Sequence, residues 1–531
     1  MAQSSTSISL SDLTFSWPDG TSVFDGLTAM IGSGRTGLVG RNGSGKSTLL
    51  RLIAGALRPD RGSVIAAGAV EYLPQDLTLD PRLRVDAILG IATIRQSLSR
   101  IESGNGTDAD FAAVASSWDI EERAVSTLHR LGLNRIVADI GDLDRTVGEL
   151  SGGETTLLGF TARLLREPNV LLLDEPTNNL DVDSRGLLAS AVQRFPGTVV
   201  VVSHDRELLE TMESTAELRE GALRLFGGNF TAYQEMVEAE QEAARAALRD
   251  ARNDVRRQGR ELVEAQIKID RRKRYGQKIF DSRSEPKIVM GMKKRSAQEA
   301  AGKLRGNHQD KLDEAKRTLA AAEDGIREDR EIRIDVPDTD VFTGQQVVCL
   351  AGTRLRSGQT LDLAVTGPDR IALIGRNGIG KTTALQAIAE EGAKVPFALL
   401  PQRLDIFDEE RSVAWNVAAA APHASAEQIR GGLARFLFRG ADADAAVRTL
   451  SGGERLRAAL AMIMTADPPP RLLMLDEPTN NLDLPSLGHL VQALERYRGA
   501  LIVASHDRQF LRDIGITRRL ELDEFGMTEI D

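Results

Sequence analysis

Two stretches, GRNGSGKS at residues 40–47 and GRNGIGKT at residues 375–382, carry glycines, a lysine and a hydroxyl at the spacing G-x-x-x-x-G-K-[ST]. Gly40, Gly43 and Gly45, like Gly375, Gly378 and Gly380, let backbone N–H groups turn toward an anion. Asn42 and Asn377 sit within the loops, Thr48 and Thr383 directly after them, and the positive end of a following helix adds to the attraction. This is chemistry for a nucleoside triphosphate: Lys46 and Lys381 reach the β- and γ-phosphates, and the Ser47 and Thr382 hydroxyls bind Mg²⁺. Each loop follows a strand-like run and precedes a helical one, so chance is a poor account of two matches.

What the loops lack comes from VLLLDEPTNNLD at residues 170–181 and LLMLDEPTNNLD at residues 472–483. Asp174 and Asp476, at strand ends, are suited to hold Mg²⁺ through water. Glu175 and Glu477 would orient and deprotonate an attacking water. An Asp-Glu pair after a strand is more often a simple strand end, but the repeated PTNNLD context favours hydrolysis. His204 and His506, each in SHD and 29 residues after its glutamate, are placed to contact the γ-phosphate or the water. LSGGE, at residues 150–154 and 450–454, reads as a helix N-terminus with exposed backbone donors and no lysine. Such a terminus caps the γ-phosphate of a nucleotide held by another loop. Two loops and two caps imply two sites, each assembled from both halves.

The elements that must position these groups repeat as well. Apolar, β-branched runs such as 170–173 and 199–202 read as strands buried on both faces, with helical patterns between them. Lys46 precedes Ser151 by 105 residues and Lys381 precedes Ser451 by only 70, which places an insertion of mixed helical character at about residues 83–123. Between the repeats, from about 229 to 331, apolar residues step by three and four. They run through Leu248, Ala251, Val255, Leu262, Ala265 and Ile269, then return through Ala297, Ala301, Leu304, Leu312, Ala315, Leu319, Ala322 and Ile326. Two such helices predict an antiparallel coiled-coil hairpin. Arms of ~35–40 residues would reach ~50–60 Å at the helical rise. Gly276, Pro286 and Gly291 interrupt the heptads at its tip.

Length and composition agree. The 531 residues suggest two or three domains, and 41% hydrophobic with 27% charged residues is a globular profile. One cysteine, Cys349, rules out an internal disulfide and suits a reducing compartment. No apolar run approaches the ~18–20 residues of a membrane span, and the start lacks the pattern of a leader peptide; we expect a cytoplasmic protein without membrane partners. Net charge is −10, yet residues 268–305 hold thirteen Lys/Arg against four Asp/Glu, which leaves −19 for the remainder. A spacer between two domains needs neither that length nor that charge. Arg271, Arg272, Lys273, Arg274, Lys278, Arg283, Lys287, Lys293, Lys294 and Arg295, interleaved with Tyr275, Phe280 and Met290, suit RNA: cations for phosphates, aromatics for stacking on bases.

The phosphate loops, LSGGE, LLLDEPTNNLD and SHD together resemble the nucleotide-binding domain of ABC ATPases, over about four-fifths of the chain. Two such domains, GNFTAYQ at residues 228–234 and a charged helical linker resemble the ABC-F family. The resemblance implies ABC ATPase domains at 1–228 and 332–531, joined by a helical linker at 229–331. It implies a head-to-tail sandwich around two ATPs within one monomeric chain, with Lys46 opposite Ser451 and Gly453, and Lys381 opposite Ser151 and Gly153. Gln75 and Gln402 match the family's Q-loops and Mg²⁺ contacts, and Asp181 and Asp483 its D-loops. The family often has NHLD where this chain has NNLD twice. Trp17, 29 residues before Lys46, matches the aromatic that stacks on adenine, whereas the same offset before Lys381 lands on Gly352.

Members of the family act on ribosomes, with the linker near the tRNA exit site and its tip against P-site tRNA and the peptidyl-transferase region. That implies ATP-dependent ribosome binding, release on hydrolysis, and no stable DNA partner. Antibiotic protection and housekeeping rescue of stalled ribosomes both remain open. The energising subunit of a transporter is a rival that the basic linker argues against.

Overall fold

The computed structural model describes residues 8–530 except 76, 78, 79, 81, 149, 179, 282–286, 325–338, 357 and 481. Arg283 and Pro286 therefore lie outside the described residues, as do the side chains of Phe280, Lys287, Met290, Lys293 and Lys294. The chain forms two compact units, one from 1–231 with 330–531 and one from 232–329.

The larger unit holds both repeats. The first half contains β1 (Ile8–Ser16), β2 (Ser22–Ile31), β3 (Arg35–Val39), β4 (Arg61–Ala66), β5 (Val70–Leu73), β6 (Val170–Asp174), β7 (Thr198–Val202), β8 (Ser214–Arg219) and β9 (Ala222–Gly227). The second contains β10 (Gln346–Arg354), β11 (Thr360–Thr366), β12 (Arg370–Ile374), β13 (Phe397–Leu400), β14 (Leu472–Asp476), β15 (Ala500–Ala504), β16 (Arg518–Leu522) and β17 (Met527–Ile530). Six strands of each half make the main sheet, in the orders β5-β6-β7-β3-β8-β9 and β13-β14-β15-β12-β16-β17. Both are parallel up to an antiparallel final pair. Every residue of β6, β7, β14 and β15 is buried. Central parallel strands covered on both faces must be apolar throughout, which is why VLLLD and TVVVV do not alternate.

Helices of the first half are α1 (Lys46–Ile53), α2 (Val85–Leu89), α3 (Ala92–Glu102), α4 (Asp108–Val114), α5 (Ile120–Arg130), α6 (Gly152–Leu164), α7 (Val182–Arg194) and α8 (Arg206–Glu210). The region of the expected insertion is helical, and buried Asp86 ties α2 to α3 through Arg95 at 2.9 Å. Linker helices α9 (Phe230–Asp281) and α10 (Lys287–Asp324) precede α11 (Lys381–Ala387), α12 (Val413–Ala420), α13 (Ala426–Arg435), α14 (Gly452–Thr465), α15 (Leu484–Arg496) and α16 (Arg508–Asp513).

In the smaller unit, Ala251, Ala265 and Ala315 are buried, and Arg252 Nη2 on α9 lies 3.4 Å from Glu323 Oε1 on α10. Gly276 lies within α9 and Gly291 within α10, so the expected interruption of the heptads falls inside continuous helices. A glycine costs a helix interior only about 1 kcal/mol, which helices of this length absorb. Leu304, expected on the interior face, is 38% exposed.

Candidate nucleotide sites at the two phosphate loops

Both loops leave the central strand of their sheet, β3 or β12, and enter a helix, α1 or α11. Parallel α/β sheets bind ligands at this carboxyl edge. Gly40 and Gly375 both have φ 155°, and a Cβ there would sit 2.4 Å from Leu218 O or 2.5 Å from Leu522 O. No larger residue fits the strand-to-loop turn that aims the backbone N–H groups. Lys46 Nζ donates to Gly40 O at 2.7 Å and Arg41 O at 3.0 Å, and Lys381 Nζ to Gly375 O at 2.8 Å. Both lysines are buried; desolvation pushes their pKa values down, while Glu175 and Glu477 pull them back up.

The strand ends deliver the carboxylates. Ser47 Oγ donates to Asp174 Oδ1 at 3.1 Å, and Thr382 Oγ1 to Asp476 Oδ2 at 2.7 Å. A hydroxyl and a carboxylate oxygen at one point form a donor set suited to a hard cation such as Mg²⁺. Tyr72 OH, which the motifs did not single out, donates to Asp174 Oδ2 at 3.0 Å. Its counterpart, one residue before the second LPQ, is Leu399, so only the first carboxylate gains this bond.

Glu175 and Glu477 have φ values of 49° and 44°, a left-handed backbone that costs an ordinary residue about 1–2 kcal/mol. Each is pinned by its own N–H, which donates to Val202 O or Ala504 O at 2.8 Å. This turn swings the side chain off the strand and beneath the loop. Glu175 Oε1 lies 3.2 Å from His204 Nε2, and Glu477 Oε1 lies 3.3 Å from His506 Nε2 and 3.4 Å from Lys381 Nζ. Both oxygens are buried beneath the loops, held by the histidine ring and, at Glu477, by Lys381, where a carboxylate could take a proton from water. Desolvation pushes both carboxyl pKa values up. It pushes His204 down to about 3 and His506 down to about 4, so both rings are neutral at pH 7. His506 Nε2 also contacts Lys381 Nζ and lies 3.1 Å from Asn377 Oδ1.

A cavity of about 830 Å³ adjoins the first loop, lined by Trp17, Asn42, Gly43, Gly45, Lys46, Ser47, Thr48, Gln75, Asp174, Glu175 and His204 among others. Trp17 is held edge-on by Phe15, ring centroids 5.2 Å apart. Its counterpart in the second half is not Gly352. Trp17 N bonds Thr21 O and Gly20 N bonds Trp17 O; Leu355 N bonds Gln359 O and Gly358 N bonds Leu355 O in the same way. The second turn is three residues nearer its loop, so Leu355, which is buried, stands where Trp17 stands. Gln402 is exposed, and Thr383 half-buried behind Thr382.

Ser151 and Ser451 begin α6 and α14 with matching capping boxes, each hydroxyl shared with Glu154 or Glu454. A Cβ on Gly453 would strike Ser486 Oγ at 2.2 Å and approach Asp483 Oδ1 at 3.8 Å, so α14 packs closely on the start of α15. Asp483 in turn accepts a hydrogen bond from Asn42 N at 2.8 Å. The second half thus touches the first phosphate loop directly. A cleft of about 610 Å³ brings Asp181 and Asp183 of the first half together with Gly375, Arg376 and His506 of the second. Arg206 and Asp513 pair across the halves at 3.1 Å.

A family model described as ABC transporter matches residues 27–178. The chain is 27% identical over 546 residues to ABC transporter F family member 5 of Arabidopsis thaliana, covering 95% of this chain and 73% of that protein. It is 31% identical over 564 residues to the tylosin resistance ATP-binding protein TlrC of Streptomyces fradiae, covering 98% of each. The chain belongs to the ABC-F family.

The ABC-F assignment rests on matches that cover 95–98% of this chain. In a crystal structure with archaeal ribosomal stalk protein aP1, the archaeal ribosome recycling factor aABCE1 shares the fold at TM-score 0.51 and 17% identity, over 98% of this chain and 90% of that one. Among the described residues of this ABC-F protein, no helix is long and apolar enough to cross a membrane.

Proposed function

We propose that this ABC-F protein hydrolyses ATP at two composite sites, binds ribosomes in its ATP-bound state and leaves on hydrolysis, protecting them from an antibiotic. The observation that carries the composite sites is the hydrogen bond from Asn42 N to Asp483, which joins the first phosphate loop to the segment leading out of the second PTNNLD. In this reading Lys46 works opposite Ser451 and Gly453, and Lys381 opposite Ser151 and Gly153. Ser47, Asp174 and Gln75, or Thr382, Asp476 and Gln402, would hold Mg²⁺, which would neutralise phosphate charge. Glu175 and Glu477 take the proton of the attacking water, and His204 and His506, neutral, hold that carboxylate in place. Trp17 stacks on the first adenine.

The boundaries 1–228, 229–331 and 332–531 belong to the same reading, with α9 and α10 as an antiparallel coiled-coil hairpin. The Arg252–Glu323 pair supports it, as does the row Ala251, Val255, Gln258, Leu262, Ala265 and Ile269, each at least half-buried. Arg271, Arg272, Lys273, Arg274, Tyr275, Lys278 and Arg295 are exposed, which favours contact with rRNA or P-site tRNA. Likeness to a tylosin resistance protein over 98% of each chain favours protection over a housekeeping role. The test is cell-free translation inhibited by tylosin. Added protein with ATP should restore synthesis, and a variant lacking residues 271–295 should not. Equal inhibition with and without the intact protein would refute protection against tylosin.

A further inference from the structure

The aspartates at the two strand ends each take a hydroxyl from their phosphate loop, but only one takes a second. In register, β5 pairs Tyr72 with Leu172 of β6, and β13 pairs Leu399 with Met474 of β14. Leu172 and Met474 each lie two residues before the aspartate. Tyr72 and Leu399 are therefore equivalent by register, and each shares a sheet face with the aspartate of its half. Both side chains pack, partly buried, against the core of their half. Only the tyrosine is long enough, and polar at its tip, to reach past the neighbouring position to the carboxylate. Its OH donates to Asp174 Oδ2 at 3.0 Å, while Ser47 Oγ donates to Oδ1 at 3.1 Å. Both oxygens of Asp174 are held, which fixes the plane of the carboxylate. Asp476 accepts from the Thr382 hydroxyl at Oδ2, and Leu399 has nothing to donate to it.

We propose that Tyr72 is a positioning residue that gives the first site a tighter hold on the divalent cation than the second. A carboxylate that binds Mg²⁺, directly or through water, must present its oxygens in one orientation. Asp174 presents them before the cation arrives, whereas Asp476 loses rotational freedom on binding. Removing a hydrogen bond to a metal-holding side chain typically weakens metal affinity by roughly 10–100-fold. The two sites are thus unequal, and at limiting Mg²⁺ the first fills before the second. This inference rests on the reading of Asp174 and Asp476 as the residues that hold Mg²⁺.

The test is a Mn²⁺ titration of the full chain with a non-hydrolysable ATP analogue, not in excess over the sites, with free Mn²⁺ read by electron paramagnetic resonance. The wild type should show two classes of site that differ about tenfold. Tyr72→Phe keeps the ring and removes only the hydroxyl. It should weaken the tight class about tenfold, to the level of the other, with the melting temperature unchanged. Tyr72→Leu, which installs the side chain of the second half, should weaken it equally. Asp174→Asn should abolish the tight class, and Tyr72→Phe should then change nothing further. With Asp476→Asn the tight class should remain, and Tyr72→Phe should still weaken it. A single class in the wild type would overturn the proposal. So would a tight class that Asp174→Asn removes and Tyr72→Phe leaves untouched, although Asp174 would keep its role. Mn²⁺ binding indifferent to both aspartate substitutions would overturn the reading of these carboxylates as well.

Discussion

Asp483 Oδ2 accepts a hydrogen bond from the Asn42 backbone N–H, 441 residues earlier in the chain, at 2.8 Å. The acceptor is also the N-cap of α15, bound by Ser486 N at 3.0 Å. Its carboxyl is held below the usual range despite burial, because these N–H donors and the Ser486 hydroxyl favour the charged form. One carboxylate thus starts a helix in the second half and steadies the phosphate loop of the first.

Removing that carboxylate should loosen the first site without unfolding the chain. A hydrogen bond to a charged group contributes about 1.5–3 kcal/mol. We expect Asp483→Ala to raise the ATP concentration for half-maximal turnover roughly tenfold or more, read from an ATPase titration. An unchanged titration would remove Asp483 from the site.

The Trp17 and Leu355 positions should separate binding from stability. Trp17→Ala removes a stacking surface at a cavity edge, and the expected cost is about 0.5–1.5 kcal/mol in nucleotide affinity. Leu355→Ala instead opens a hole in a packed core and should cost about 2–5 kcal/mol of stability. Nucleotide titration followed by thermal melting distinguishes them.

Acid should destabilise the fold through the two SHD histidines. An unfolded histidine titrates near 6.5, whereas burial holds His506 down to about 4 and His204 to about 3. Between those values the unfolded chain binds more protons, so this contribution to stability is complete above pH 6.5 and lost as pH falls toward 4. The raised carboxyls of Glu175 and Glu477 act in the opposite sense above their usual range. Urea midpoints measured from pH 7 to 4.5 should fall less steeply for His506→Gln than for the wild type.

Salt should expose the role of the exposed cations on α9. Each cation–phosphate pair removed reduces the slope of log affinity against log salt by roughly 0.7–0.9. Replacing Arg271, Arg272, Lys273 and Arg274 with glutamine should flatten the salt dependence of ribosome binding between about 50 and 200 mM salt. A slope unchanged by these four substitutions would place the RNA-binding surface elsewhere.

Much of the architecture was legible because it is written twice. A repeated motif marks its own spacing, so the 105-against-70 difference pointed to an insertion at about 83–123, a stretch that holds α2, α3, α4 and the start of α5. The left-handed glutamates were not legible, since nothing in the letters DEP reveals a φ of 49° or 44°. Nor was Leu355: counting back 29 residues from Lys381 assumes equal loops, and the second turn is three residues closer. Tyr72 was missed for the same kind of reason: it acts through Asp174, distant in sequence, and its position is not repeated in the second half.

The account stands on ATP-gated attachment to the ribosome. The most direct measurement is co-sedimentation of the Glu175→Gln/Glu477→Gln variant with ribosomes, with and without ATP. Retained nucleotide, turnover reduced at least about a hundredfold, and pelleting with ribosomes only when ATP is present is the predicted result. Nucleotide bound but no protein in the ribosomal pellet would contradict the account.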